Sequence, residues 1–120
     1  MLVEMLKCKV HGVVVTESFL EYDGSLTVDR DIMERVKLIP FEKILIANME
    51  NGERFETYII PGEAGSKVIC LNGATAHKGE VGDRLIIFAF CQLEDADATA
   101  HKPLVLRYDD DHPDGVMKQV

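Results

Sequence analysis

Residues 43–60 read KILIANM, then ENGE, then RFETYII. Two runs rich in Ile, Leu, Phe and Tyr stand on either side of Asn51-Gly52. Asn-Gly is the strongest short-range signal for a β-hairpin, because both residues accept positive φ. In the second arm Phe55, Thr57 and Ile59 fall on one face, and Arg54, Glu56, Tyr58 and Ile60 on the other. Arg54 and Tyr58 therefore share a face that Thr57 does not. Pro61-Gly62 ends the arm.

Outward from this hairpin the reading stays extended. SKVICLN (66–72) is a strand, GATAH (73–77) a tight or helical turn, and RLIIFAFCQL (84–93) a buried strand. PLVLRYD (103–109) reads as a last edge strand with Pro103 at its start. Towards the N-terminus, residues 2–10 and 13–18 are strands separated by His11-Gly12, where glycine permits a bend or bulge. SLTV (25–28) is a short extended piece after Asp23-Gly24. Asp29 then suits the N-cap of a helix over 30–37, with Asp31 in its first turn, Arg35 and Lys37 in its last, and Pro40 beyond its exit. Many short strands with one helix, and no repeat or linker, indicate a single mainly-β domain shaped as a small barrel.

The chain of 120 residues has 13 basic and 21 acidic residues and a net charge of -8. That balance argues against phosphate backbones and anionic membranes, both of which need Lys and Arg to neutralise charge. Residues 94–120 carry seven acids and three bases, half of the excess, so 109–120 reads as a solvated acidic tail. Asp109, Asp110 and Asp111 are adjacent and cannot all point at one ion, and no metal site is expected. Cys8, Cys70 and Cys91 are odd in number and form no C-x-x-C; Cys70 and Cys91 sit in apolar runs and read as core. Glu4, Lys7 and Lys9 interrupt the N-terminal apolar stretch, and the longest apolar run, 85–91, is too short for a membrane span. Neither a signal peptide nor a membrane anchor is expected, and the cytoplasm is the default compartment.

The residues able to do chemistry are scattered singly: Lys9, His11, Ser25, Arg54, Tyr58 and Asn72. There is no H-E-x-x-H, G-x-x-x-x-G-K or G-x-G-x-x-G, and no Ser-His-Asp signature. Taken one at a time, Gly24-Ser25 is a turn dipeptide, Tyr58 a strand aromatic, Thr57 a β-branched strand residue, and Lys9 and Arg54 surface charges.

Together they form a recognisable constellation. Met5-Leu6 with Lys9 and His11; Tyr22-Asp23-Gly24-Ser25; Asn51-Gly52 with Arg54-Phe55 and Thr57-Tyr58; Gly65-Ser66; Asn72-Gly73-Ala74 with Ala76-His77; and Val81-Gly82-Asp83 run in order over about residues 5–90. In these the chain resembles the aspartate 1-decarboxylase family of self-cleaving, pyruvoyl-dependent lyases. The resemblance implies a six-stranded double-psi β-barrel with short helices and a homotetramer with sites at subunit interfaces. It also implies cleavage between Gly24 and Ser25 into a β chain (1–24) and an α chain (25–120). Ser25 would become the pyruvoyl group, which holds L-aspartate as a Schiff base while CO2 leaves and β-alanine forms for pantothenate and coenzyme A synthesis. The resemblance implies no metal.

The same resemblance distributes the roles. Tyr58 returns a proton to the α-carbon, Arg54 grips a carboxylate, and Lys9 adds positive potential. Thr57 contacts substrate and assists processing, while Asn72 and the backbone N–H groups of Gly73, Ala74 and Thr75 cradle an oxyanion. His11 and Tyr22 support processing, and a separate maturation factor is a further partner to test for. The chain departs from the family at Thr75, where alanine is usual, and at Ala47, where some relatives carry a large aromatic. Two other readings stay open on the sequence: a decarboxylase for another small amino diacid such as glutamate, and a barrel that never cleaves and serves as a binding module.

Overall fold

The computed structural model describes residues 1–120. Nine strands and three short helical segments follow one another as β1 (Leu2–Val14), β2 (Glu17–Phe19), β3 (Ser25–Asp29), α1 (Arg30–Arg35), β4 (Lys43–Asn48), β5 (Arg54–Gly62) and β6 (Ile69–Asn72), then a 3₁₀ turn (Gly73–Lys78), β7 (Arg84–Glu94), α2 (Asp95–Ala98), β8 (Leu104–Asp109) and β9 (His112–Lys118). The strands form one sheet in the order β2-β6-β3-β5-β4-β7-β1-β8-β9. The architecture is mainly β with short helices, consistent with the small barrel-like fold expected, and the chain has nine strands in all.

The quoted hairpin forms as read. β4 and β5 pair antiparallel from Lys43↔Tyr58 to Ala47↔Arg54. Gly52 sits at φ 76, the Asn51 side chain accepts from the Glu53 N–H at 2.9 Å, and the Asn48 side chain accepts from the Glu50 N–H at 2.8 Å. β5 does not stop before Pro61; it runs through Pro61 and Gly62, which lie in parallel register with Val28 and Asp29 of β3. β1 is one continuous strand, and its register against β7 slips between His11 and Val13, at Gly12, whose φ is 91. The sequence allows a bend or bulge there, and the structure shows why the residue is glycine: a Cβ on Gly12 would lie 2.4 Å from the Tyr108 carbonyl oxygen.

Asp29 does cap α1, its carboxylate accepting from the Asp31 N–H at 2.8 Å. It also accepts from Gly65 at 3.0 Å and Lys67 at 2.7 Å, which is how a carboxylate only 2% exposed stays satisfied. The helix ends two residues earlier than its charge pattern suggests, because Lys37 turns to φ 59. Alternate residues of the strands meet in a core of 19 buried side chains, among them Val10, Leu26, Val28, Ile44, Ile46, Ile59, Leu71, Leu85 and Ile87. Each such Leu or Ile contributes roughly 1.5–3 kcal/mol by leaving water.

The C-terminal region departs from expectation. Residues 109–120 were read as a solvated tail and 103–109 as an edge strand. Instead β8 lies between β1 and β9; Asp109 ends β8, paired with His112, and Asp110 and Asp111 form the turn of the β8–β9 hairpin. Polar contacts hold β9 in place: Arg35 donates to the carbonyls of Asp114 and Gly115 at 2.6 and 3.1 Å, and Lys67 pairs with Asp114 at 2.7 Å. The sequence HPDGVMK has little apolar alternation to announce such a strand.

Candidate active site

β3 begins at Ser25, which is 1% exposed although it follows an exposed turn. It opposes Asn72, the last residue of β6, in an antiparallel pair. Residues 25 and 27 of one strand and 70 and 72 of the other therefore point to the same face. The Asn72 amide gathers them: Nδ2 donates to Ser25 Oγ at 3.0 Å and Thr27 Oγ1 at 2.8 Å, while Oδ1 accepts from the Cys70 thiol at 3.1 Å. Burial pushes the Cys70 thiol above its ordinary pKa, so it remains protonated and a donor. Ser25 Oγ is held with one lone pair engaged by Asn72 and its own proton directed at the Asp23 carbonyl, 3.3 Å away.

The 3₁₀ turn closes over this group. Gly73, at φ 63, lies so near the preceding turn that a Cβ there would meet Tyr22 O at 2.4 Å, Gly24 N at 2.7 Å and Gly24 Cα at 2.8 Å. Thr75, 7% exposed, donates its hydroxyl to Asn72 O at 2.7 Å and approaches Ser25 O at 3.3 Å. Gly24 is the opposite case. A Cβ there would meet nothing within 4 Å, and its φ lies outside the left-handed region. Neither backbone strain nor crowding at Cβ therefore requires glycine at this position.

β3 and β5 run parallel, with Leu26 opposite Ile59 and Thr27 opposite Ile60. Extending that ladder back one residue sets Tyr58 level with Ser25, and one more sets Thr57 level with Gly24. Thr57 pairs with the buried Ile44 and faces the core side, so it is opposite Arg54 and Tyr58, as alternation required. The Tyr58 ring packs against Phe41 at 6.2 Å.

Lys9 and Arg54 gather elsewhere on the same chain. Lys9 Nζ lies 5.8 Å and the Arg54 guanidinium 5.5 Å from the centre of the Phe88 ring, both within cation–π range. Ala47 pairs directly with Arg54, and its small side chain leaves room for the guanidinium to reach across to β7. In sheet order β7 is three strands from β3, about 14 Å at 4.8 Å per strand. His11 stands apart from Ser25 too, in a cleft of about 600 Å³ lined also by Arg84, Arg107 and Tyr108. Its Nδ1 is buried without a partner, and burial first, then Lys9, Arg107 and Arg84, hold its pKa below the ordinary value. Tyr22 is 61% exposed.

One chain thus brings together Gly24, Ser25, Asn72, Gly73 and Thr75, with Tyr58 and Thr57 beside them in register. It does not bring Lys9, Arg54, His11 or the Tyr22 ring to that group. Sequence reasoning missed Thr27, Cys70 and Phe88. Alternation along SLTV and ICLN puts Thr27 and Cys70 on the site face, a usable signal once the Ser25–Asn72 pairing is known. Phe88 lies inside an apolar run and carries no local signal.

A family model described as aspartate decarboxylase matches residues 1–113. An aspartate 1-decarboxylase of Clostridium kluyveri is 47% identical over 112 residues, covering 93% of this chain and 88% of that protein. One from Chlorobium limicola is 49% identical over 109 residues, 91% and 85% of the two chains. One from Caldicellulosiruptor saccharolyticus is 47% identical over 112 residues, again 93% and 88%.

Proposed function

Because the chain belongs to the aspartate decarboxylase family, we propose that it cleaves itself between Gly24 and Ser25 and, as a pyruvoyl enzyme, converts L-aspartate to β-alanine and CO2. The observation that carries this reading is a buried serine hydroxyl, fixed by Asn72 Nδ2 at 3.0 Å, directly after a glycine on whose Cβ side nothing lies within 4 Å. Ser25 Oγ adds to the Gly24 carbonyl carbon, and the Gly24–Ser25 C–N bond breaks as its nitrogen takes up the serine proton. The Gly24 acyl group is now an ester on Oγ. Water accepts the Ser25 α-proton, Gly24 departs as a carboxylate, and dehydroalanine is left at the new terminus. Water then replaces its nitrogen, which leaves as ammonia.

The buried hydroxyls of Ser25 and Thr75, the half-buried one of Thr27 and the Asn72 amide suit a small polar carbonyl group at this position. Once formed, the pyruvoyl group supplies a ketone that takes up an amine and an adjoining carbonyl that withdraws the electrons of the breaking C–C bond. Asn72 orients the serine oxygen in the precursor, and Gly73 lets the cleaved segment lie against the 3₁₀ turn. Tyr58, level with Ser25, holds the phenolic proton returned to the α-carbon. Thr57 offers a hydroxyl to the oxyanion of the acyl shift where the strand twists or a second subunit completes the site, because along β5 it faces away from Tyr58.

Arg54 forks onto the carboxylate that the substrate keeps, since pairing the departing one would stabilise the ground state. Lys9 adds positive potential for a dianion. In this reading the cations are supplied by a second copy, in a homotetramer with sites between subunits; the place of the Phe88 cluster three strands from β3 in sheet order supports it. The reaction belongs to the cytoplasm, where β-alanine serves pantothenate and coenzyme A synthesis; no helix of the chain is long and apolar enough to cross a membrane.

Intact mass and a denaturing gel test this reading, on the purified chain and in cell extract, which supplies any maturation factor. The expected products are residues 1–24 and 25–120, the larger bearing a hydrazide-reactive terminus. A whole 13.4 kDa chain after prolonged warming in both conditions overturns it.

A further inference from the structure

We infer that Thr75 is a catalytic residue, its hydroxyl stabilising negative charge on the Ser25 carbonyl oxygen when the Ser25 α-proton leaves during chain cleavage. This deepens the self-cleavage reading and rests on it. Thr75 Oγ1 lies between two carbonyl oxygens, Asn72 O at 2.7 Å and Ser25 O at 3.3 Å. A hydroxyl has one proton, and the shorter contact holds it in the resting precursor. The contact to Ser25 O is waiting rather than made.

The elimination step changes that balance. Removing the Ser25 α-proton puts an electron pair next to the Ser25 carbonyl. That pair delocalises onto the carbonyl oxygen before it forms the Cα–Cβ double bond and expels the Gly24 carboxylate. The charge develops on an oxygen already 3.3 Å from the hydroxyl, in a site where Ser25 and Thr75 are 1% and 7% exposed. A hydrogen bond to a charged oxygen is roughly twice as strong as one to a neutral carbonyl, more so away from water. The hydroxyl then turns from Asn72 O to Ser25 O without moving its own carbon atoms, which is donation already organised for the transition state. The backbone of the 3₁₀ turn fixes where Thr75 stands, and Ser25 O is held by its place on β3.

No other side chain donates to Ser25 O. Its contribution is smaller than that of a primary oxyanion donor, whose removal costs about a hundredfold or more, because the proton is shared with Asn72 O. Loss of the hydroxyl should slow elimination about tenfold and leave the earlier acyl shift intact. The ester then accumulates.

The test follows cleavage of freshly refolded wild type, Thr75→Val, which keeps the shape, and Thr75→Ser, which keeps the hydroxyl. Each is sampled with and without hydroxylamine, which cuts an ester and leaves an amide. The expected result is cleavage about tenfold slower in Thr75→Val, with a hydroxylamine-sensitive fraction building up, and near-normal cleavage in Thr75→Ser. Wild-type cleavage in Thr75→Val overturns the inference alone. So does slow cleavage without ester in Thr75→Val, or a Thr75→Ser variant as slow as Thr75→Val, since either reports lost packing. A wild-type chain that stays whole overturns the self-cleavage reading, and this inference with it.

Discussion

Replacing Gly73 with alanine separates the cost of backbone conformation from the cost of moving the cleavage site. Gly73 has φ 63, and its added Cβ would stand 2.4 Å from Tyr22 O, 2.7 Å from Gly24 N and 2.8 Å from Gly24 Cα. The left-handed conformation alone costs an alanine about 1–2 kcal/mol. All three neighbours are backbone, so no side-chain rotation relieves the contact. Tyr22 O must retreat by roughly 0.6 Å to reach a tolerable 3.0 Å, and the 22–24 segment moves with it. A 1 Å misplacement of reacting groups costs about a hundredfold in rate, so Gly73→Ala should slow cleavage between about tenfold and a hundredfold. Gly52→Ala is the control, for its φ is 76 and its Cβ would meet nothing within 4 Å. At this chain length 1 kcal/mol lowers Tm by about 4 °C, so Gly52→Ala should lose about 4–8 °C and Gly73→Ala more. Cleavage is followed on a gel over time, and Tm by circular dichroism on the same samples. The reasoning fails if Gly73→Ala cleaves at the wild-type rate, or if Gly52→Ala slows cleavage as much.

Co-expression of Ser25→Ala and Arg54→Ala copies checks whether Lys9 and Arg54 serve a neighbour's Ser25. Each variant alone should be inactive, while random mixing restores about a quarter of the sites; no recovery in verified mixed oligomers refutes the shared site. His11 sets an acid limb on stability. Its folded pKa lies below the ordinary 6.5, so below that pH the unfolded chain binds more protons. Its effect on stability is therefore absent above pH 6.5 and grows as a loss while pH falls from 6.5 through the folded pKa. Urea melts at pH 7.5, 6.5 and 5.5 should show that limb in the wild type and a flatter one in His11→Gln; identical profiles would count against it.

The acidic composition, which seemed to bear on function, proves to describe the periphery. Asp109 is held below the usual carboxylate range by His112 and Asp114 by Lys67, both in the C-terminal hairpin. That hairpin was not legible because its strand is pinned by Arg35 and Lys67, residues 79 and 47 positions away from Asp114, rather than by its own apolar pattern. The candidate site was legible only as a set of residues. The strand carrying Arg54, Thr57 and Tyr58 could be divided into two faces from the sequence. Nothing in it said that one face would carry Arg54 towards Phe88 and the Tyr58 ring towards Phe41.

The sequence by itself determined what depends on a few neighbouring residues: the turn at Asn51-Gly52, the Asp29 cap, the bulge at Gly12 and the two-faced alternation of β5. Each follows from local φ preference or from the two-residue period of a strand. The tertiary structure alone decided what depends on which strands meet. The Asn72 amide reaches Ser25 and Thr27 across 47 and 45 positions, and Thr75 reaches Ser25 across 50. Sheet register brings such pairs within 3 Å or so, and a slip of one residue would turn every one of those side chains to the other face.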